Sequence, residues 1–463
     1  EPFDRIMKVE DELIALETWV ESGQKADVLV HIDAADDIEI VPPALEESMK
    51  NAADHLRHGN TGVIYDIANF LETSGTLGLG MRAGLYDRVV WVFPSEKSVA
   101  DLGLEAFKNF LVRVRGYRAG DLSDLAVRGN GIEGTLGGVP IRITNIKDFE
   151  PTGETAIVDI DLSYFSGMQA QNPGYVLGTA SLLDFLSSLK EKGISARLAT
   201  VTLTGKGPVA PIGIRYMGGF IVEAFSEPSK LTERPEKWQR MIEAEGFINK
   251  ERFEAADSLY GILVESYPGD PGLQYMRGAI LALLGWGRES GRHLTEAYRI
   301  DEAYLAGFFQ VANLLASRGE MDVAEAVVNA PVLKEAYRSD ELNYNLGIMY
   351  IKGGMPDEAL SHLESAAAFD AGNTDLTLLI YRTARDAGVE ESMLSALEKL
   401  VEKDRSLVRS RMPWVFRELG ILYEGRGEDG KAERMYSLYI EAAPEDSAAV
   451  ELKRQHKGKA PLH

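Results

Sequence analysis

One stretch decides the fold of the first half of the chain: Val28-Leu29-Val30-His31-Ile32-Asp33-Ala34-Ala35-Asp36-Asp37. Its first five residues are almost continuously apolar, as in a strand that is buried on both faces of a parallel sheet. Three carboxylates follow at the carboxyl end of this strand, where open α/β sheets bind their ligands. The stretch therefore predicts an α/β fold with a polar site at one edge of the sheet.

Three more apolar runs have the same character, and helical patterns separate them. The predicted strands are Val89–Phe93, Ala156–Ile160 and Leu198–Leu203, and the predicted helices are Asp11–Glu21, Leu45–Leu56 and Leu182–Lys192. Strands that alternate with helices indicate βαβ units and a mostly parallel sheet.

The composition limits the classes of function. The chain has 463 residues and a formal net charge of −23, which a nucleic-acid backbone or an anionic lipid surface would repel. It contains no cysteine, which excludes disulfides, thiolate metal ligands and a cysteine nucleophile. No run of about 18 apolar residues occurs, so we expect no membrane insertion. Because the chain starts at Glu1 without Met, we expect a periplasmic or extracellular protein after leader removal rather than a cytoplasmic one.

The second half of the chain repeats a helical pattern. The two clearest units pair Gly347 with Ala359 and Gly420 with Ala432, and the spacing of the two small residues is the same in both. Weaker units bring the number to about six. Small residues at two fixed points let antiparallel helices approach closely, so that stacked pairs bury a shared core. The pattern resembles the tetratricopeptide repeat, whose period is about 34 residues, and an irregular helical bundle is the alternative.

This resemblance implies a helical solenoid that binds a protein or peptide partner, and it leaves an oligomer or a larger assembly open. The linker-like segment Ser226–Pro235 separates the two patterns. We therefore predict an α/β domain over 1–228, an all-α repeat solenoid over 236–450 and a C-terminal tail over 451–463.

A second predicted strand also ends in carboxylates. In Ile157-Val158-Asp159-Ile160-Asp161-Leu162, the two-residue period of a strand places Asp159 and Asp161 on one face. Buried carboxylates repel one another unless a cation or hydrogen-bond donors neutralise them. Together with Asp33 and Asp37, they predict a divalent-cation site made of oxygen ligands.

These segments resemble the arginase–deacetylase superfamily, which carries an Asp-Ala-His-x-Asp strand end and a later Asp-x-Asp strand end. The resemblance also includes Val9-Glu10-Asp11-Glu12-Leu13 and Gly84-Leu85-Tyr86-Asp87-Arg88, is closest to an uncharacterised arginase-like family, and covers roughly residues 5–225. It implies a three-layer domain with a metal site at the top of a parallel sheet. It also implies that Asp33, Asp37, Asp159 and Asp161 are ligands.

The departures from this family's motif concern its nitrogen ligands. Ala35 stands where the family has its metal-binding histidine. Zinc, which prefers nitrogen or sulfur, would be poorly served by the remaining carboxylates, and Mn²⁺, Mg²⁺, Ca²⁺ or no metal at all remain open. His31 shares a strand face with Asp33, and it is either a further metal ligand or a histidine with hydrogen-bond partners in the core.

Two functions follow from these observations, and they leave open whether the protein is an enzyme. The first is a protein-interaction scaffold, in which the repeats bind a partner and the arginase-like domain is a catalytically degenerate body. The second is a divalent-metal-dependent hydrolase of C–N bonds with an all-carboxylate metal site, in which metal-bound water attacks a guanidinium or amide carbon. The sequence identifies no catalytic residue in either case.

The acidic residues and the glycine motifs have two interpretations each. Acidic side chains on the repeat helices, such as Glu296, Glu325 and Glu358, serve solubility or form a groove for a basic peptide. The dinucleotide-like motifs at 78–83 and 129–134 lack a preceding strand and a following helix, so we predict loops and no cofactor site there.

Overall fold

The computed structural model describes residues 3–38, 41, 43–68, 75–151, 153, 155–171, 177–203, 212–369 and 372–456. Its internal contacts divide the chain into unit 1, Glu1–Ile280, and unit 2, Leu281–His463. The predicted tail begins inside a helix, Ser447–His456, and its last seven residues lie outside the described part. Among the described residues, every helix is too short or too polar to span a bilayer.

The described part of unit 1 is built on one sheet of eight strands. The strands are β1 Ile6–Val9, β2 Val28–Ile32, β3 Arg88–Val92, β4 Ala126–Arg128, β5 Gly131–Leu136, β6 Val139–Thr144, β7 Ala156–Asp161 and β8 Leu198–Thr202. Their order in space is β1-β8-β7-β2-β3-β6-β5-β4. The strands predicted from apolar runs are confirmed as β2, β3, β7 and β8, because a strand buried on both faces must be apolar throughout.

The sheet is mostly parallel, as predicted, with an antiparallel extension at one edge that makes it mixed. The six strands from β1 to β6 in the spatial order pair in parallel, whereas β5 pairs with β6 and β4 in antiparallel orientation. The antiparallel strands are joined by tight turns at Gly129-Asn130 and Gly137-Gly138, which need no crossover helix. The predicted loop at Gly129–Gly134 is therefore a turn followed by β5.

Eleven helices begin in the described part of unit 1. They are α1 Glu12–Glu21, α2 Glu46–Arg57, α3 Gly62–Ala68, α4 Thr76–Arg82, α5 Leu104–Arg115, α6 Ser163–Gln171, α7 Thr179–Glu191, α8 Tyr216–Ser226, α9 Glu236–Ile248, α10 Phe253–Ser266 and α11 Pro271–Leu283. The predicted helices are confirmed as α1, α2 and α7. The loop predicted at 78–83 is wrong, because most of that motif lies in α4.

The helices cover both faces of the sheet. Apolar side chains of α1 to α5 share one core with Leu29 and Trp91, which point to the same face. On the opposite face α8 packs against β1, where Gly218 lies close to Leu203 and to the side chain of Lys8. The carboxyl ends of β2, β7 and β8 thus meet at one edge between two layers of helices.

The helices α9 and α10 belong to unit 1 although they start the repeat pattern. Trp238 of α9 is fully buried and stacks on Phe220 of α8, with the ring centroids 5.1 Å apart. The carboxylate of Glu245 accepts hydrogen bonds from the backbone N–H of Thr179, at 2.7 Å, and from the Tyr216 hydroxyl, at 2.9 Å. This carboxylate caps the amino end of α7, where a helix has unpaired N–H groups.

Unit 2 is helical throughout its described residues. Its helices are α12 Gly287–Ile300, α13 Leu305–Ser317, α14 Met321–Val328, α15 Pro331–Ala336, α16 Ser339–Lys352, α17 Pro356–Ala367, α18 Thr374–Ala387, α19 Glu390–Lys403, α20 Arg405–Arg411, α21 Trp414–Gly425, α22 Asp429–Ala442 and α23 Ser447–His456. The pairs α13–α14, α16–α17, α18–α19 and α21–α22 pack as hairpins.

Left-handed turns mark the repeat along both units. A residue with positive φ joins the two helices of each pair, and these residues are Glu251, Gly285, Gly319, Gly354, Gly388 and Gly427. Successive turns are about 34 residues apart, and only the last interval, which contains α20, is clearly longer. This regularity confirms the predicted repeat and gives six helix pairs in the described residues. Glycine suits five of these turns because it has no Cβ to collide in the left-handed region.

The small residues of the motif lie where the helices of a pair cross. A Cβ atom added at Gly347 would stand 2.7 Å from Cδ2 of Leu363, and one added at Gly420 would overlap the ring of Tyr436. Ala359 and Ala432 are buried on the facing helices. The predicted reason for the fixed spacing of the small residues, close approach of two helices, is therefore confirmed.

Candidate functional site

The predicted site residues meet at the carboxyl ends of β2 and β7. Parallel pairing sets His31 beside Asp159, and Asp159 beside Thr200 of β8. His31, Asp33, Asp159 and Asp161 are at most 1 % exposed, and Asp37 is 6 % exposed. We refer to these five side chains, His31, Asp33, Asp37, Asp159 and Asp161, as the buried cluster.

His31 is the centre of the buried cluster. Its Nδ1 lies 3.1 Å from Oδ2 of Asp159. Its Nε2 lies 3.3 Å from Oδ2 of Asp33 and 3.4 Å from Oδ2 of Asp37. Both ring nitrogens thus face carboxylates, so this histidine contacts three of the four predicted ligands.

Asp159 is fixed by donors from β8 as well as by His31. Its Oδ1 accepts hydrogen bonds from the hydroxyls of Thr200, at 2.6 Å, and Thr202, at 3.3 Å. Trp19 of α1 donates from Nε1 to the Thr200 hydroxyl at 3.1 Å. With both oxygens engaged, Asp159 is held in one orientation towards His31.

Ser163, at the start of α6, contacts two other carboxylates. Its hydroxyl donates to Oδ1 of Asp33, and its backbone N–H donates to Oδ1 of Asp161 at 2.6 Å. Trp91 of β3 donates to the backbone carbonyl of Asp33 at 2.9 Å. Oδ2 of Asp161 is buried and accepts no hydrogen bond from the described residues.

The turn after β2 separates two neighbouring aspartates. Oδ1 of Asp36 accepts hydrogen bonds from the Tyr117 hydroxyl and the Ile38 N–H, each at 2.9 Å, and its Oδ2 lies 3.7 Å from Nε of Arg115. Asp37 has φ of +45°, in the left-handed region that costs non-glycine residues about 1–2 kcal/mol. This backbone turn points Asp37 towards His31 while Asp36 pairs elsewhere.

The electrostatics of the buried cluster follow from burial and from the shared negative charge. Burial and the nearby Asp37 charge raise the pKa of Asp33 to about 7. Burial, then Asp33, raises the pKa of Asp161 well above its usual range. Burial lowers the pKa of His31, but the carboxylates of Asp159, Asp33 and Asp37 around its two ring nitrogens outweigh this effect and hold the pKa well above 6.5. These directions favour retained protons on the carboxyl groups and a positive charge on His31, and both reduce the repulsion among the carboxylates.

Glu12 is a neighbour of the buried cluster that sequence reasoning did not include. It is 6 % exposed, and burial together with the Asp37 charge raises its pKa to about 9. It lies in the first turn of α1, directly after the N-cap Asp11. Its burial could have been predicted from the helical period, because Glu12 lies on the same face of α1 as the buried Ala15, Leu16 and Trp19.

Three of these side chains present donor atoms to a common point. His31, Asp33 and Asp37 each offer one ligand atom, and these three atoms lie within 4.8 Å of one another. Among the described residues, this group is close enough together to hold a metal ion. One imidazole nitrogen with carboxylate oxygens is a donor set for divalent first-row metals. Of the predicted ligands, His31, Asp33 and Asp37 thus lie together at this spacing.

Unit 2 presents a second candidate, on the first helices of three hairpins. On each of these helices we consider the residues ten, six and three positions before the glycine of the left-handed turn. These three positions share one face of the helix, because their spacing follows the helical period. The selected residues are Tyr344, Ile348 and Ile351 on α16, Leu378, Arg382 and Arg385 on α18, and Arg417, Ile421 and Glu424 on α21. We call these nine residues the first-helix face. Tyr344, Ile351 and Ile421 are 42 %, 36 % and 50 % exposed.

Comparison with known proteins finds solved tetratricopeptide-repeat structures. No family model and no curated protein matches the chain. YrrB, a tetratricopeptide-repeat protein with an unusual peptide-binding site, is 17 % identical, with a TM-score of 0.28, and the match covers 42 % of this chain and 97 % of YrrB.

Two further structures are similar at the same level. The C-terminal part of a tetratricopeptide-repeat protein from Cytophaga hutchinsonii is 13 % identical over 50 % of this chain and 93 % of that one, with a TM-score of 0.33. PilW, a type IV pilus biogenesis factor, is 14 % identical over 47 % of this chain and 97 % of its own, with a TM-score of 0.26. The arginase-like resemblance of unit 1 stays a prediction.

Proposed function

We propose that the protein is an interaction scaffold that binds a protein or peptide through the first-helix face. The observation that carries this proposal is the exposure of Tyr344 and Ile351 on α16 and of Ile421 on α21, all on the first-helix face. Large apolar side chains on one exposed face are typical of binding surfaces. The acidic residues Glu325 and Glu358 lie on the second helices of their hairpins, α14 and α17, and not on the first-helix face.

The charges of the first-helix face favour a partner with acidic and apolar side chains. Arg382 makes no ion pair with any described residue, while Arg385 pairs with Asp386 at 3.7 Å and Arg417 with Glu418 at 2.8 Å. Glu424 is occupied as the acceptor of the Tyr436 hydroxyl. In a chain of net charge −23, an arginine on this face that makes no ion pair with a described residue is suited to a carboxylate of the partner.

Peptide selection tests this proposal. A random peptide library is selected on the full chain, and the affinity of the best peptide is measured at low and high salt. We expect Asp, Glu and apolar residues to be enriched, and Arg382→Glu to weaken binding at least tenfold. Arg434→Glu, an exposed arginine on the second helix α22, is the matched control. Equal affinities for wild type and Arg382→Glu would contradict the proposal.

We further propose that unit 1 is a non-catalytic body. Each residue of the buried cluster is at most 6 % exposed, and Ala35 replaces the histidine that the family resemblance implies. The hydrogen bonds of Thr200, Thr202 and Ser163 to the buried carboxylates support a structural role.

A second candidate is divalent-metal-dependent hydrolysis of C–N bonds. The donor atoms of His31, Asp33 and Asp37 within 4.8 Å favour it. A metal ion bound there supplies an activated water as nucleophile. The test is release of ammonia, urea or amine from a panel of guanidino and N-acyl compounds by the Mn²⁺-loaded chain. Turnover that Asp33→Asn abolishes supports hydrolysis, and no turnover on any compound leaves unit 1 as a non-catalytic body.

A further inference from the structure

The structure assigns Nε2 of His31, with one carboxylate oxygen each of Asp33 and Asp37, as the ligand set of a single divalent first-row metal ion, and it assigns Asp159 as a positioning residue for His31. The nitrogen ligand thus comes from inside β2 and not from the segment that follows it. Asp159 and Asp161, which the sequence pattern predicts as ligands, are excluded from this set.

The first argument is the state of the donor atoms. Nε2 of His31 and Oδ2 of Asp37 are both buried, and neither makes a hydrogen bond of good geometry with the described residues. They lie 3.4 Å apart and, with Asp33, face a common point. Buried polar atoms are hydrogen-bonded in more than nine of ten cases, so Nε2 and the Asp37 oxygen, which approach each other only at ion-pair distance, indicate a missing partner. A cation satisfies all three donors at once.

The second argument is the other side of the imidazole ring. A histidine that ligates a metal almost always donates its second ring N–H to a carboxylate or carbonyl, which fixes the tautomer. Nδ1 of His31 lies 3.1 Å from Oδ2 of Asp159. The Thr200 hydroxyl holds the other oxygen of Asp159 at 2.6 Å. Asp159 therefore orients His31 with Nε2 towards Asp33 and Asp37.

The third argument separates Asp161 from the ligand set. Its Oδ1 accepts the backbone N–H of Ser163 at 2.6 Å, and its Oδ2 is buried without a hydrogen bond from the described residues, as Oδ2 of Asp37 is. Asp161 differs from Asp37 in position. It is absent from the set of described residues whose ligand atoms lie within 4.8 Å of one another. Asp161 and Asp37 are thus two buried carboxylates at the same sheet edge with opposite expected effects on metal binding.

The donor set decides the class of ion. Mg²⁺ and Ca²⁺ take oxygen ligands, imidazole nitrogen suits Zn²⁺, Fe²⁺, Ni²⁺ and Cu²⁺, and carboxylate oxygens also suit Mn²⁺. One nitrogen and two carboxylates therefore select a first-row transition ion over Mg²⁺ or Ca²⁺. This inference does not rest on either proposed function, because a metal bound without hydrolysis and without a partner leaves it intact.

The experiment titrates Mn²⁺ into the full chain after EDTA treatment and follows the ion by electron paramagnetic resonance. We expect one Mn²⁺ per chain, little competition from equimolar Mg²⁺ or Ca²⁺, and nitrogen modulation in the spin-echo signal from a coordinated imidazole. Asp37→Asn is expected to abolish stoichiometric binding, and Asp161→Asn, the matched control, to preserve it. Asp159→Asn is expected to weaken binding about 10–100-fold.

Circular dichroism and urea unfolding verify that each variant is folded. A variant that does not fold is replaced by Asp37→Ser or His31→Gln, for which loss of binding with retained fold is again expected. Wild-type chain that binds no Mn²⁺, Co²⁺ or Zn²⁺ overturns the assignment, and it means that a proton on Nε2 fills the cluster. Loss of the metal in Asp161→Asn but not in Asp37→Asn also overturns it. Neither result affects peptide binding by the first-helix face.

Discussion

The buried cluster of unit 1 and the hairpins of unit 2 solve packing in opposite ways. Around His31 the side chains are charged, buried and brought together from positions 128 residues apart in sequence. In the hairpins the contacts join small and apolar residues that are close in sequence, such as Gly347 with Ala359 and Leu363. Long-range polar contacts hold one region, and local apolar contacts hold the other.

This difference decides how each region responds to substitution. Removing one partner from a buried charged group leaves the others unpaired, so the loss of free energy is large. A hairpin loses only the fit between two helices, and the loss is smaller and local. Four substitutions, ordered by the size of the expected effect, separate the two regimes.

The largest effect is expected at the centre of the buried cluster. His31→Leu removes the side chain that Asp33, Asp37 and Asp159 share, and we expect the metal-free chain to lose about 3–5 kcal/mol of unfolding free energy. Urea unfolding in EDTA measures it. His58→Leu, an exposed histidine at the end of α2, is the control and should change stability by less than about 0.5 kcal/mol. Equal losses for both variants would remove the distinction between the two regions.

A smaller loss is expected where two repeat helices cross. In Gly420→Ala the new methyl group meets the ring of Tyr436, and overpacking of this kind costs about 1–3 kcal/mol. Gly425→Ala lies on the same helix with nothing within 4 Å, and we expect no loss there. Thermal unfolding of the two variants checks this. If Gly420→Ala is as stable as Gly425→Ala, the close approach is not needed.

The contact of α9 with α7 shares one property with the buried cluster, because it joins residues far apart in sequence. It differs in that only one charged side chain, Glu245, takes part. Glu245→Gln weakens the cap on α7 at Thr179, and we expect a loss of about 1–2 kcal/mol in urea unfolding. Glu243→Gln, an exposed neighbour on the same helix, should have no effect within error. Equal urea midpoints for Glu245→Gln and Glu243→Gln would show that the cap does not stabilise the chain.

The smallest effect is a gain of stability. Glu251 occupies the left-handed turn at φ of +55°, where the five later repeats have glycine. Glu251→Gly relieves this conformation and should stabilise the chain by about 1 kcal/mol. Glu243→Gly, inside α9, should cost about 1 kcal/mol because glycine disfavours helix interiors. Opposite signs in thermal unfolding support the structural repeat, and two losses would contradict it.

The same contrast explains what the sequence predicted. The repeat could be found from Gly347 and Ala359 because its contacts are local and recur at a fixed spacing. Strand β2 could be bounded because a doubly buried strand is apolar to its last residue. The sequence did not predict β4 and β5 as parts of the sheet, because short strands with exposed residues resemble loops.

The roles within the buried cluster could not be predicted, because they depend on side-chain direction across three strands. The sequence placed His31 on the correct face but did not show that its two nitrogens contact different carboxylates. It assigned Asp159 and Asp161 the same role, whereas Thr200 and Ser163 hold them differently. Donors on distant elements decide these roles, and no local pattern encodes them.

The central role of His31 is tested most directly by a double-mutant cycle of His31→Leu and Asp159→Asn, measured by urea unfolding of the full chain in EDTA. Because Nδ1 of His31 and the Asp159 carboxylate are 3.1 Å apart and fully buried, we expect an interaction energy of about 2 kcal/mol, with the double variant losing less than the sum of the single losses. Single losses that add within about 0.5 kcal/mol would contradict the view that these two strands are joined through the buried cluster.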